Sequence, residues 1–183
     1  MNAPASSFEA IAAGLLGWAR QALEAELRGK PAPAPPHDGS VGGLFFTLYD
    51  ETGEVRGSRG TSAPEVSLAG LAPAMLRAAA FEDPRFPPLA AEELPRCRLA
   101  VTVLGAPVRI RGPEGIEPGV TALRVRAGLF SGTTLPEAAW GRGWDAATFL
   151  AVACRKAGLH ALAWRREETE VLAFPSWRAA EPF

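Results

Sequence analysis

Gly43-Leu-Phe-Phe-Thr-Leu-Tyr-Asp-Glu-Thr-Gly-Glu-Val-Arg-Gly-Ser-Arg-Gly-Thr61 is the stretch on which the fold turns. An apolar run, Gly43 to Tyr49, meets the turn Asp50-Glu51-Thr52-Gly53, and a second extended run begins at Glu54. Two extended runs joined by a tight turn make a hairpin, here with strands expected near 43–49 and 54–56. A hairpin commits its sheet to antiparallel pairing. Immediately after it, two glycines bracket Ser58 and stand beside Arg56 and Arg59. Glycine visits positive φ readily, and a backbone curled in that way turns successive N–H groups into an anion-binding hollow. Residues 56–60 are therefore expected to form a loop. Its candidate binding residues are Arg56, Gly57, Ser58, Arg59 and Gly60. A guanidinium beside such N–H groups suits phosphate or carboxylate. The same arginines equally suit structural ion pairs, for instance Arg56 with Asp83 or with a glutamate.

Upstream, Phe8, Ile11, Ala12, Leu15, Ala19, Ala22, Leu23 and Leu27 recur at helical intervals, predicting a helix over 6–28. Ser6 and Glu9 have the spacing of a capping box, and Gly29 is a C-terminal stop. The Pro-rich stretch 30–40 cannot donate a regular ladder of hydrogen bonds and reads as a linker or surface loop. Downstream, Leu68, Leu71, Ala72, Met75, Leu76, Ala79 and Ala80 predict a second helix, which Asp83-Pro84-Arg85-Phe86-Pro87-Pro88 must leave. Arg98 to Val103 alternates as a strand with one buried face, and 122–134 as a hairpin. Asp145 caps a third helix that Gly158 ends. Ala161–Trp164 and Val171–Phe174 read as a last strand pair. Strands outnumber helices and do not alternate strictly with them, so the fold class is α+β, an antiparallel sheet with flanking helices.

The 183 residues are 48% hydrophobic and 21% charged, enough to bury a core, and 19 basic against 20 acidic residues leave a net charge of −1. That balance supplies no global field for nucleic acid or an anionic membrane. The start shows no basic leader and no apolar run long enough to span a bilayer, which points to a cytoplasmic protein. Cys97 and Cys154 stand far apart, and neither a disulfide framework nor a zinc site is expected from them. No metal and no cofactor are expected. The glycine segment lacks the Gly-Lys-Ser/Thr ending of a phosphate loop and the third glycine of a dinucleotide fingerprint.

Arg56-Gly57-Ser58-Arg59-Gly60 resembles the signature Leu-Arg-Gly-Cys-Ile-Gly of the AMME chromosomal-region protein family, whose prokaryotic members are called AmmeMemoRadiSam system protein A. Ala79 to Leu89 with Glu92-Glu93-Leu94 is similar to the family's central segment. Leu135-Pro136-Glu137-Ala138, Gly143-Trp144-Asp145, Phe149-Leu150 and Lys156-Ala157-Gly158-Leu159 are similar to its C-terminal one. The resemblance implies one AMMECR-type domain over 1–183. It implies a larger part from both chain ends, about 1–95 and 140–183, and a smaller inserted α/β part near 96–139. It also implies Memo-like and radical S-adenosylmethionine proteins as partners. The chain departs from the pattern where Ser58 replaces the signature Cys, Arg59 replaces an aliphatic residue, and Glu137 replaces a glutamine.

Candidate chemistry follows. Ser58 as a nucleophile lacks a partnered base: His37 lies in the Pro-rich stretch, His160 at a strand start, and no Gly-x-Ser-x-Gly elbow surrounds it. Asp83 and Arg85 either pair locally to fix a turn or, with Glu93, line a cleft facing Ser58. In that cleft two carboxylates with pKa values separated by burial would do acid–base work. Glu137 is either a site residue or an ordinary strand end. Arg109-Ile110-Arg111 and Arg124-Val125-Arg126 have period two and read as solvent faces or as a small basic surface. The expected function is a cytoplasmic accessory or regulatory binding protein taking an anionic small molecule or a polar peptide. The alternatives are an enzyme or enzyme subunit acting with the family's partners, and a protein-interaction module that uses the inserted part.

Overall fold

A computed structural model describes the backbone of residues 5–182 and the side chains of all but 5, 6 and 63–66 within that span. The chain divides into two compact units, one of residues 1–103 with 177–183, the other of 104–176. The second unit thus runs on past the 96–139 expected for the insertion, taking in 140–176.

In the first unit, helix α1 (Ala5–Leu27) buries Ala12, Leu15, Ala19 and Leu23, and Gly29 ends it at φ +66. The side chain of Ser6, half of the expected capping box, lies outside the described residues. The Pro-rich stretch carries no regular structure before Ser40, and Pro33 accepts the Trp18 Nε1–H at 2.8 Å. Strand β1 (Ser40–Tyr49) pairs antiparallel with β2 (Val55–Ser67) around the turn at Asp50, whose carboxylate accepts the Thr52 and Glu54 N–H groups. Helix α2 (Leu68–Phe81) follows directly and tolerates Pro73 in its second turn. Strand β3 (Arg98–Leu104) lies between β1 and β7 in the sheet and is buried on both faces, Ala100 and Thr102 included, rather than on one. The core gathers α1, α2 and these strands around Leu15, Leu44, Phe46, Leu76 and Leu99.

The hairpin is therefore longer than the sequence suggests. Residues 56–60 are not a loop: they are the middle of β2, with Thr47 opposite Ser58 and Phe45 opposite Gly60. Neither Gly57 nor Gly60 has positive φ. Both glycines answer close approach instead. A Cβ on Gly57 would stand 2.2 Å from the Ala79 carbonyl oxygen of α2, and one on Gly60 would strike the Phe45 ring and the Leu44 carbonyl.

The second unit holds β4 (Val108–Ile110), β5 (Thr121–Ala127), β6 (Phe130–Thr134) and helix α3 (Ala146–Lys156). Strand β7 (Glu170–Ala180) enters from this unit, pairing antiparallel with both β4 and β5, while β6 pairs antiparallel with β5. Asp145 caps α3 through the Thr148 N–H at 2.7 Å, and Gly158 ends it at φ +79. Phe149, Leu150, Ala153 and Cys154 of α3 pack on Leu123, Val125 and Val171. The expected strand at 161–164 is instead a 3₁₀ turn, Ala163–Arg165. A short apolar run does not separate turn from strand by pattern alone, and β5 and β4 already occupy both edges of β7.

Candidate functional site

The sequence-predicted residues of the first unit come together where the end of α2 meets β2. Helix α2 stops at Glu82, because Pro84 disfavours helical geometry in the residue before it. That places Asp83 against β2, 4% exposed in its side chain. One carboxylate oxygen accepts the Ser58 N–H at 2.9 Å and Arg85 Nη2 at 2.6 Å; the other accepts Arg85 Nε at 2.9 Å and the Arg85 N–H at 3.2 Å. Ser58 sits on an outermost strand, so its N–H has no ladder partner on that side and Asp83 supplies one. The side-chain bonds from Arg85 hold Asp83 well below the usual carboxylate range, against the upward pull of burial, with the Ser58 and Arg85 N–H groups adding to the effect. Arg85 is raised in turn by the same pair.

A second ion pair lies beside the first. Arg56 Nε and Nη2 meet the two oxygens of Glu93 at 2.9 and 3.0 Å, a fork-on-fork geometry. Ala90 N–H adds a third bond to Glu93 at 2.8 Å. Glu93 is lowered by the Arg56 side chain first, with burial opposing and the Ala90 N–H assisting. The Phe86 ring joins the two pairs: the Arg85 guanidinium carbon is 5.1 Å from its centroid and that of Arg56 is 5.9 Å away. Ser58 Oγ lies 3.0 Å from Thr47 Oγ1 across the hairpin, and Arg59 Nη2 reaches the Glu82 carbonyl at 3.3 Å.

This geometry corrects the anion hollow expected at 56–60. The backbone there is extended, and the Ser58 N–H is spent on Asp83. It also removes the basis for paired acid–base carboxylates. Asp83 and Glu93 are both held ionised, and neither is pushed upward as a general acid requires. Glu137 belongs to the second unit, half-buried in a 3₁₀ turn, Pro136–Ala139. Sequence reasoning passed over Thr47 and Phe86. A lone hydroxyl inside the apolar run 43–49 signals Thr47, and Phe86 stands beside Arg85 in the same Pro-rich stretch. Cys97 and Cys154 are buried, and burial raises both thiols above their ordinary value. No group of side chains suited to hold a metal ion occurs among the described residues, and no described helix is long and apolar enough to cross a membrane.

The arrangement leaves Arg85 in an unusual position. Its partner carboxylate is buried, while its own side chain is 57% exposed. Nε and Nη2 face Asp83, and Nη1 has no partner among the described residues. The guanidinium is fixed in orientation and still presents donors outward.

The AMMECR1 family model matches residues 16–178. A protein of Nanoarchaeum equitans is 36% identical over 166 residues, spanning 85% of this chain and 92% of that one. A protein of Aeropyrum pernix is 38% identical over 154 residues, 79% of this chain and 67% of that one. The crystal structure of the uncharacterized protein PH0010 from Pyrococcus horikoshii is similar at a TM-score of 0.83 and 32% identity, covering 96% of this chain and 93% of that one. With the α+β architecture in common and the family model spanning most of its length, this chain belongs to the AMMECR1 family.

Proposed function

We propose that the chain is a binding protein of an accessory or regulatory kind, and that its recognition point is the Arg85 guanidinium with Phe86 beside it. The ligand is an anionic small molecule or a polar peptide bearing a carboxylate or phosphate. The observation that carries this reading is the asymmetry of one ion pair, a carboxylate 4% exposed holding a guanidinium 57% exposed. An arginine oriented beforehand by a buried carboxylate loses less freedom when it binds a ligand, and its exposed donors are already in place. Phe86 gives the ligand an apolar edge next to the charge. Arg59, exposed on β2, provides a second cation close to the same helix end. The working context for this role is the pairing with Memo-like and radical S-adenosylmethionine proteins that the family resemblance implies.

Calorimetric titration of the full chain with inorganic phosphate and with N-acetylglutamate tests the reading. Wild type is expected to bind one of them. Arg85→Ala should weaken that binding by about tenfold or more; it also leaves the buried Asp83 carboxylate without its counter-ion and lowers the melting temperature, so the titration is run well below the variant's own unfolding transition. Wild type binding neither probe, or an Arg85→Ala variant that binds as well as wild type, overturns it.

A further inference from the structure

Directly paired residues of an antiparallel ladder carry their side chains on one face, and so do residues two apart along a strand. In the second unit, Arg109 on β4 and Arg124 on β5 both stand in register with Leu172 on β7, one on each side of it. One step along, Arg126 stands opposite Glu170 and bonds it, Nε to Oε2, at 3.1 Å. These five residues therefore share a face. The opposite face carries Leu123, Val125 and Val171 into the core beneath α3. On the arginine face, Arg109 and Arg126 are exposed and Leu172 is only half-buried. Arg126 keeps 52% of its side chain in water even within its ion pair. The unit that bears this face is cationic, nine Arg and Lys against seven Asp and Glu over 104–176, in a chain whose net charge is −1.

We propose that this face docks an acidic segment of a protein partner, one presenting an apolar side chain flanked by carboxylates. Two observations favour that occupant. The charge is one-signed apart from Glu170, which is already neutralised, so an acidic surface is complementary to it. The centre is aliphatic: Leu172 lies between two arginines roughly 10 Å apart, two strand spacings. Arginine around an apolar centre is the composition of protein-binding surfaces. A single-stranded nucleic acid would find cations here but no aromatic ring among these five residues on which to stack a base. Leu129 is a separate apolar feature of the same unit. It is fully exposed at the tip of the β5–β6 hairpin, directly after Gly128 at φ +58, a turn where polar residues are usual. The inference is independent of Arg85, which belongs to the first unit.

Fluorescence anisotropy on the full chain tests it, with three labelled probes: an alternating Asp-Leu decapeptide, an alternating Lys-Leu decapeptide and a uridine decamer. The Asp-Leu peptide should bind, and more weakly as salt rises, while the Lys-Leu peptide does not. Arg109→Glu and Leu172→Ser should each weaken it by about tenfold. Melting curves verify that the variants fold, and Arg109→Ala replaces Arg109→Glu if the reversal does not. Tighter binding of the uridine decamer than of the Asp-Leu peptide overturns the proposal. So does peptide binding indifferent to Arg109, or no peptide binding at millimolar concentration.

Discussion

Asp83 draws four donors onto a carboxylate nearly out of water and, beside the Arg56–Glu93 pair, joins β2 to the segment after α2. Its removal strips the Ser58 N–H of its partner as well as Arg85 of its counter-ion. Asp83→Ala should cost about 2 kcal/mol, the scale of losing charge-assisted hydrogen bonds to a buried carboxylate. Asp83→Asn, which keeps an acceptor for Ser58, should cost less. Because the folded-state pKa is depressed, the stabilisation is fully present above the unfolded value of about 4 and is lost as pH falls below it. Denaturant unfolding of wild type and Asp83→Asn should therefore converge as pH drops from about 5 toward 2, the range in which an unfolded Asp takes up its proton first. Constant separation across that range would show that Asp83 acts by shape alone. Of this cluster, the Asp83–Arg85 pair was legible because its partners are two residues apart. The Arg56–Glu93 pair joins residues 37 apart in sequence, and several glutamates competed equally for Arg56.

At the scale of elements, α3 was legible to within a residue or two, because its cap Asp145 and its stop Gly158 act locally. Strand β2 was not, and the reason is specific. Glycine is used for two purposes, positive φ and close approach, and sequence alone does not say which. At Gly57 it is close approach, to the carbonyl of Ala79 near the end of α2, 22 residues on. Gly57→Ala should therefore destabilise through overpacking, by about 2 kcal/mol or more, although alanine has the better intrinsic fit to an extended backbone. Equal or greater thermal stability of Gly57→Ala would place α2 further from β2 than described. The turn at Ala163–Arg165 was missed for another reason: which edges of β7 are free is a property of the sheet, set by β4 and β5.

Across the whole molecule, the first unit is built from both chain ends, and Arg20 ties them. From α1 it donates to the carbonyls of Leu94 and Cys97 and to both oxygens of Glu181, so one side chain links the start, the middle and the end of the chain. Arg20→Ala should lower stability by about 2 kcal/mol, since two carbonyls and a carboxylate lose a charged donor together. Glu181→Ala should lose less, the carbonyl bonds remaining. Equilibrium unfolding in urea distinguishes the two, and an unchanged midpoint for Arg20→Ala would mean that the ends are held by packing alone. In the same unit, the Asp83 carboxylate fixes the Arg85 guanidinium, and the orientation of that exposed arginine carries the proposed function. The most direct measurement is the Nε–Hε resonance of Arg85 in a nitrogen-15 spectrum of the full chain, followed while inorganic phosphate and then N-acetylglutamate are added. A sharp Hε signal, protected from exchange by Asp83 and shifting saturably with one of the two while the Arg56 signal stays fixed, is the predicted result. An Arg85 Hε signal lost to solvent exchange before any addition, or one that neither anion moves, would contradict it.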